Sequence, residues 1–176
     1  NYLVGNTLDC SVYSTVDNQK LTLTIGKGYS AYNYFVAPWG NDKPEAGSLE
    51  NPYRSLGYAM SQVVDGNTIC LLEGNYNSSL NSNIAISKNI TIVGLGNVKY
   101  LRANGVNIIT VQELGNVIVK NINFGCEVRE YDDNLFLVRG GTLNIENCTF
   151  TSISSGGVIY TSPGVDKNSL IIIKNS

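Results

Sequence analysis

The chain repeats itself at a nearly fixed interval. Ile90-Thr91-Ile92, Val117-Ile118-Val119, Leu143-Asn144-Ile145 and Ile171-Ile172-Ile173 share an apolar-x-apolar pattern, and their first residues lie 27, 26 and 28 positions apart. The match runs further than three residues. Val119-Lys120-Asn121-Ile122-Asn123-Phe124 parallels Ile145-Glu146-Asn147-Cys148-Thr149-Phe150, and Ile173-Lys174-Asn175-Ser176 follows in the same phase. A second column recurs 27 positions apart, Ile109 and Val111 against Phe136 and Val138. A unit of this length holds about three short strands and three turns, and it cannot bury its own apolar residues. Successive units must stack so that like residues fall on like. The period predicts an all-β fold, a right-handed parallel β-helix (solenoid), with coils of about 26–28 residues through residues 67–176. A β-sandwich would show turn signals without a register at this length. A leucine-rich repeat would carry a Leu framework that this chain lacks.

The composition agrees and excludes several functions. Charged residues are only 15% of the 176, while the chain holds 23 Asn, 18 Gly, 16 Ile, 16 Val and 11 Tyr against one Met and one Trp. That is material for strands and turns rather than for surface helices. A formal charge of −2 gives no electrostatic footprint for nucleic acid. With no His there is no His general base, Ser-His or Cys-His pair, or His-ligated metal. No apolar run approaches the ~18–20 residues that span a bilayer, so no membrane insertion is expected of this segment. Nothing resembles a signal peptide, so the chain is expected to be mature or excised from a longer one.

Residues 1–33 read as an N-terminal extension or interface strand region, in which Leu21–Ile25 alternates like a strand. Residues 34–66 read as a cap segment with a short N-terminal capping helix at about 52–64. Asn51 suits its N-cap and Pro52 its first turn. Leu56, Ala59, Met60 and Val63 form one apolar face, and Asp65-Gly66 stops the helix. Such a helix covers the open apolar end of a solenoid. Asn67–Leu72 is the expected first strand, and Ile84/Ile86 and Ile90/Ile92 read as paired strands around Lys88-Asn89. The recurrent Asn121, Asn147 and Asn175 are expected as an inward-facing turn ladder bonding the neighbouring coil.

Tyr34-Phe35-Val36-Ala37-Pro38-Trp39-Gly40-Asn41-Asp42 is followed by Gly47-Ser48-Leu49-Glu50-Asn51-Pro52-Tyr53-Arg54-Ser55-Leu56. Asp65-Gly66-Asn67-Thr68-Ile69 and Leu72-Glu73-Gly74-Asn75-Tyr76 come next. This text resembles the entry segment of pectate-lyase-like right-handed β-helix proteins. Asn83–Gly94 looks like the strand text of adhesin-like surface proteins of methanogenic archaea. The resemblance covers residues 34–176 and implies the β-helix fold with two kinds of use, cleavage of acidic polysaccharides or non-enzymatic surface adhesion.

A polyuronate lyase of that family would spread calcium-binding carboxylates and an Arg or Lys base over successive coils, and no such Asp or Glu column is legible. The one charged cluster is an insertion at 125–134. It carries Glu127, Arg129, Glu130, Tyr131, Asp132 and Asp133, with Arg139 just after. It reads as a solvated loop, with a weak Ca2+ site or a carbohydrate or cell-surface ligand as the sharper alternative. No other cofactor is implied. Tyr29, Tyr32 and Tyr34 are interface candidates, with cap packing as the alternative. Trp39 is expected under the Gly40-Asn41-Asp42 turn. Leu170, Ile171 and Ile173 open a new coil and are the other interface candidates, suited to end-to-end self-association. Of the Asn-x-Ser/Thr sequons, Asn77 and Asn89 are glycosylation candidates in turns and Asn147 is expected inside. Cys10, Cys70, Cys126 and Cys148 read as buried thiols, with a Cys126–Cys148 bridge as the alternative. Glu146 aligns with Lys120 and Lys174 as an outward charge ladder.

The functional expectation is a non-enzymatic, extracellular, adhesin-like cell-surface protein, a rigid stalk or binding module. A polysaccharide lyase or hydrolase is the first alternative and a purely structural filament subunit the second.

Overall fold

The structure, a computed structural model, describes residues 13–17, 20–24, 32–102, 106–126, 134–151, 157–162 and 169–176, the first two stretches as strands only. An antiparallel hairpin comes first, β1 (Tyr13–Asp17) with β2 (Lys20–Thr24). Then follow β3 (Tyr34–Val36), α1 (Leu56–Gln62) and the coil strands. These are β4 (Thr68–Leu71), β5 (Gly74–Tyr76), β6 (Ile84–Ile86), β7 (Asn89–Gly94), β8 (Val98–Arg102) and β9 (Ile109–Val111). The later coils hold β10 (Asn116–Lys120), β11 (Asn123–Cys126), β12 (Phe136–Val138), β13 (Thr142–Glu146), β14 (Thr149–Thr151), β15 (Ile159–Thr161) and β16 (Leu170–Lys174).

These strands form three parallel sheets, a six-stranded one in the order β16-β13-β10-β7-β4-β3 and two of four strands, β14-β11-β8-β5 and β15-β12-β9-β6. From β4 onward consecutive strands fall in different sheets and every third strand stacks, which is the winding of a right-handed parallel β-helix. The repeat seen in the sequence is the ladder register. Val117 pairs with Ile90 and Leu143, and Val119 with Ile92 and Ile145. Leu143 pairs with Ile171 and Ile145 with Ile173. Phe136 and Val138 lie beside Ile109 and Val111. The first coil is shorter, with Thr68 beside Thr91, so the period is not visible there. Ile84/Ile86 and Ile90/Ile92 are not paired with each other. Lys88 turns the corner between them, and β6 pairs with β9 while β7 pairs with β4 and β10.

Alternation along each strand sends one set of side chains inside. In the sheet β14-β11-β8-β5 that set holds a line of aromatic rings beside Val98, Arg102 and Cys126. Tyr76 stacks on Tyr100 at 5.5 Å, Tyr100 on Phe124 at 5.8 Å and Phe124 on Phe150 at 5.9 Å. Phe136 meets Phe124 edge-on at 5.0 Å. The buried hydroxyls are satisfied. Tyr100 donates to the Asn81 carbonyl at 2.8 Å, and Tyr76 lies 2.6 Å from the Leu72 carbonyl and 2.8 Å from that of Val36. A smaller apolar cluster, Phe35, Cys70, Val93 and Leu95, lies apart from the main core. Phe35 and Val93 both pair with Cys70, so the three form the outward row of their sheet.

The cap differs from the sequence reading. The helix is Leu56–Gln62, not 52–64, and its N-cap is Ser55, whose Oγ accepts from the Tyr58 N–H. Asn51 and Pro52 lie outside the helix, in a bend that leads into Tyr53, which adds a parallel bridge to Val36. Asp42 fixes the turn into the helix: its Oδ1 accepts from the N–H groups of Arg54 and Ser55, and its Oδ2 from the Ser55 hydroxyl. Buried Asn81 accepts from the Leu56 N–H at 2.8 Å. At the other end Lys88 Nζ donates to the Val63 carbonyl at 2.7 Å and to that of Met60 at 3.3 Å. It thus satisfies terminal carbonyls where helix and dipole favour a cation. Leu56, Ala59 and Val63 then seal the first coil.

Two corner columns need a left-handed backbone. Asn121, Asn147 and Asn175 have φ of 57, 52 and 53°, a region that Asn tolerates better than other side chains. They are exposed, not inward, which corrects the expected interior ladder. At the corner before β10 and β13, Leu114 has φ 69° where the next coil has Gly140 at φ 80°. Gly141 beside it is required by contact, since a Cβ there would stand 2.4 Å from the Gln112 carbonyl oxygen.

Candidate functional site

The expected ligand loop, Glu127, Arg129, Glu130, Tyr131, Asp132 and Asp133, lies outside the described residues, as do Tyr29 and Cys10. Tyr32 and Tyr34 are tied into the cap. Tyr32 meets Phe35 edge-on at 6.0 Å; Tyr34 packs on Tyr53 at 5.8 Å and its hydroxyl donates to the Gln62 carbonyl. Trp39 does not pack under its turn; it is 65% exposed. On β16, Leu170 and Ile173 are exposed and Ile171 is half-buried. Asn77 is exposed, and Asn89 is an exposed first strand residue whose N–H donates to Asp65. Asn147, expected inside, is exposed too. Cys70, Cys126 and Cys148 are free buried thiols, so Cys126 and Cys148 are not bridged.

Two buried thiols and two buried phenols are held in their neutral forms. Burial pushes the Cys70 thiol and the Tyr76 and Tyr100 phenols well above their usual ranges and raises the Cys148 thiol. None of the four serves as a nucleophile or base near neutral pH. Outside, Glu146 sits 2.7 Å from Lys120 and 3.4 Å from Lys174, and the hydrogen bond from Lys120 chiefly holds its carboxyl below the usual range. The outward row of that sheet runs Cys70, Val93, Lys120, Glu146, Lys174. It is an ion-pair ladder rather than a carboxylate column. Among the described residues no three His, Cys, Asp or Glu side chains are grouped to hold a metal, and no helix is long and apolar enough to cross a membrane.

What the fold does bring together is a groove of about 200 Å³ at the corner between the six-stranded sheet and the sheet containing β8, β11 and β14. Asn97, Asn121 and Asn147 come to it from three successive coils, joined by Asn123 and Thr149, with Ile122 in the lining. Backbone groups of the corner are already paired across coils, Asn121 N–H to the Glu146 carbonyl and Asn147 N–H to that of Lys174. The residue column was legible in the sequence. Its outward direction was missed because an Asn that bonds inward and an Asn that supplies a left-handed corner leave the same mark at the same spacing.

Family models, curated proteins and solved structures give no match to this chain.

Proposed function

We propose that this chain is a non-enzymatic, extracellular, adhesin-like surface protein in which the β-helix serves as a rigid stalk or binding module. The observation that supports it is the interior that runs unbroken from coil to coil. Tyr76, Tyr100, Phe124 and Phe150 stack in one line, while Ile92, Val119 and Ile145 stack in another. A solenoid whose coils interlock only with their neighbours is stiff along its axis and presents its corners at regular spacing. The likeness of residues 34–176 to pectate-lyase-like and archaeal adhesin-like text adds the surface role, and the ion-pair ladder on the outward sheet row favours adhesion over lyase chemistry. Incubation with pectin and alginate in the presence of calcium tests it. No unsaturated uronate is expected, and its release would replace this reading with the lyase.

A specific observation favours self-association as a second role. Among the described residues β14, β15 and β16 are the last strands of their sheets, and Tyr160, Leu170 and Ile173 are exposed there. Stacking of a second copy on these strands is the form that end-to-end association would take. Sedimentation velocity tests it: an assembly dissociated by Ile173→Lys supports the edge, and a single monomeric species at all concentrations refutes it.

A further inference from the structure

We propose that strand β2 of a second copy of this chain adds to the free edge of β16, in parallel, and continues the six-stranded sheet by one strand. The inference rests on the self-association reading and names the segment that makes the contact. Three observations carry it. The first is that each part lacks what the other has. Among the described residues β16 ends its sheet, with β13 on one side only, and β1 and β2 form a sheet of two strands. An open strand edge is a template for another strand, and a hairpin without a third strand is marginal in water.

The second is the match of pattern. β2 reads Lys20-Leu21-Thr22-Leu23-Thr24, the polar–apolar–x–apolar–polar order of β10 (Asn116–Lys120) and β13 (Thr142–Glu146). Leu21 and Leu23 fall on one face by the two-residue period. In a parallel register they take the places after Ile171 and Ile173, in the rows that hold Val117 with Leu143 and Val119 with Ile145. Those four are fully buried, whereas Ile173 is 53% exposed. Charge selects the direction. Parallel addition sets Thr24 beside Lys174, while antiparallel addition would set Lys20 against it.

The third is reach, which makes the donor a second copy. Only residues 25–31 separate Thr24 from Tyr32, and Tyr32 is held against Phe35 at the β3 end of the sheet. A link of that length bridges about 28 Å when fully extended. A strand beyond β16 stands six inter-strand steps from β3, about 29 Å, and its Thr24 end lies a further strand length along the sheet. The chain's own β2 falls short.

Sedimentation velocity of the full chain reads the association. An assembly of the wild type is expected, weakened on the order of tenfold or more both by Ile173→Lys and by Leu21→Lys with Leu23→Lys. As a monomer the hairpin variant should keep the thermal melting curve of the solenoid, since β2 belongs to none of its sheets. Cysteine pairing reads the register. Copies carrying Thr22→Cys, mixed under mild oxidant with copies carrying Ile172→Cys, should give a disulfide-linked heterodimer, because residues side by side on adjacent strands stand within disulfide range. Lys20→Cys with Ile172→Cys, two residues out of step, should give several-fold less.

Association that survives the hairpin variant but not Ile173→Lys overturns β2 as the donor and leaves end-to-end association through another segment. A wild type that stays monomeric at all concentrations overturns the self-association reading itself, and the proposal with it. Equal heterodimer yields from the two cysteine pairs overturn the register. A disulfide closed within single chains carrying both Thr22→Cys and Ile172→Cys overturns the second copy as donor.

Discussion

The two ends of the solenoid carry the same kind of sequence and reach different degrees of burial. Ile145 and Ile173 occupy one column, paired side by side in β13 and β16. Ile145 is fully buried and Ile173 is 53% exposed. The inward pattern is identical, and the difference is the next coil, which Ile145 has on both sides. At the other end Leu56, Ala59 and Val63 of α1 take the place of a coil, and the first coil strands are as buried as the middle ones. Burial here belongs to neighbouring pairs of coils rather than to a residue. Stability should then fall from the capped end toward the β14–β16 end.

The largest effect is expected at the centre of the aromatic line. Phe124 touches Tyr100, Phe136 and Phe150, so Phe124→Ala opens a cavity that no single neighbour can fill and should cost about 3–5 kcal/mol. Urea unfolding would measure it, and a loss under 1 kcal/mol would mean the line is not the spine of the fold. The matched pair Ile145→Ala and Ile173→Ala tests the comparison itself. The first should cost about 2–5 kcal/mol as a buried truncation, and the second about 1 kcal/mol or less because half its surface is already in water. Equal costs would show that something covers β16 in solution.

At the capped end the leverage is polar. Asn81 joins three elements: its Oδ1 accepts from the first helical N–H, its carbonyl accepts from Tyr100, and it ends the short 3₁₀ turn Ser79–Asn81. Asn81→Ala strands a buried donor and should cost about 1–3 kcal/mol. Asn81→Asp should recover part of that near neutral pH, because the carboxylate can still accept from Leu56 and faces a helix N-terminus. Denaturant midpoints of the two variants decide the matter. If both lose the same amount, the side-chain bond is not what seats the helix.

Two of the three buried thiols, Cys70 and Cys148, report the gradient without a large change in structure. Cys70 lies under the cap end and Cys148 in the last full coil. Both should be silent to an aromatic disulfide reagent in the native state, since burial keeps the thiolate scarce. Under mild denaturant Cys148 should react first, because opening β13 to β16 exposes it whereas Cys70 needs the cap to detach. Simultaneous reaction would indicate one cooperative unit and no gradient.

How much of this was legible follows from what repeats. The stacking register of Ile90, Val117, Leu143 and Ile171 was readable because identical columns repeat at 26–28 residues. The cap was misplaced because Asn51-Pro52 satisfies local helix-start rules, while the true start depends on Asp42, 13 residues upstream of Ser55, and on the Tyr53 bridge to Val36. Both are long-range contacts that no local rule contains. Nor could the outward turn of Asn121 and Asn147 be seen in one dimension, since spacing marks a column without giving its direction. The Lys120–Glu146–Lys174 row was readable for the opposite reason: alternating charge has only one stable side of a sheet to face.

That row also gives the smallest expected effect, and the one that best separates surface from interior. Glu146 is held in its charged form mainly by the hydrogen bond from Lys120, with Lys174 adding to it. A carboxyl whose folded-state pKa lies below its unfolded value stabilises the fold above the ordinary glutamate range, and that contribution fades as pH falls through the lowered value. All three partners are open to solvent, so the interaction is screened by salt. Glu146→Gln should therefore shift the melting temperature slightly downward at neutral pH and low salt, and the shift should vanish both at high salt and at pH values below the range in which glutamate titrates. A shift that survives high salt would mean Glu146 is held by contacts inside the sheet rather than by the ladder. The same titration leaves Ile145→Ala unaffected, because apolar burial carries no proton and no counterion. An effect of pH on that variant's penalty would show that the exterior ladder and the interior column are coupled across the strand, and the independence of neighbouring rows on the two faces would be lost.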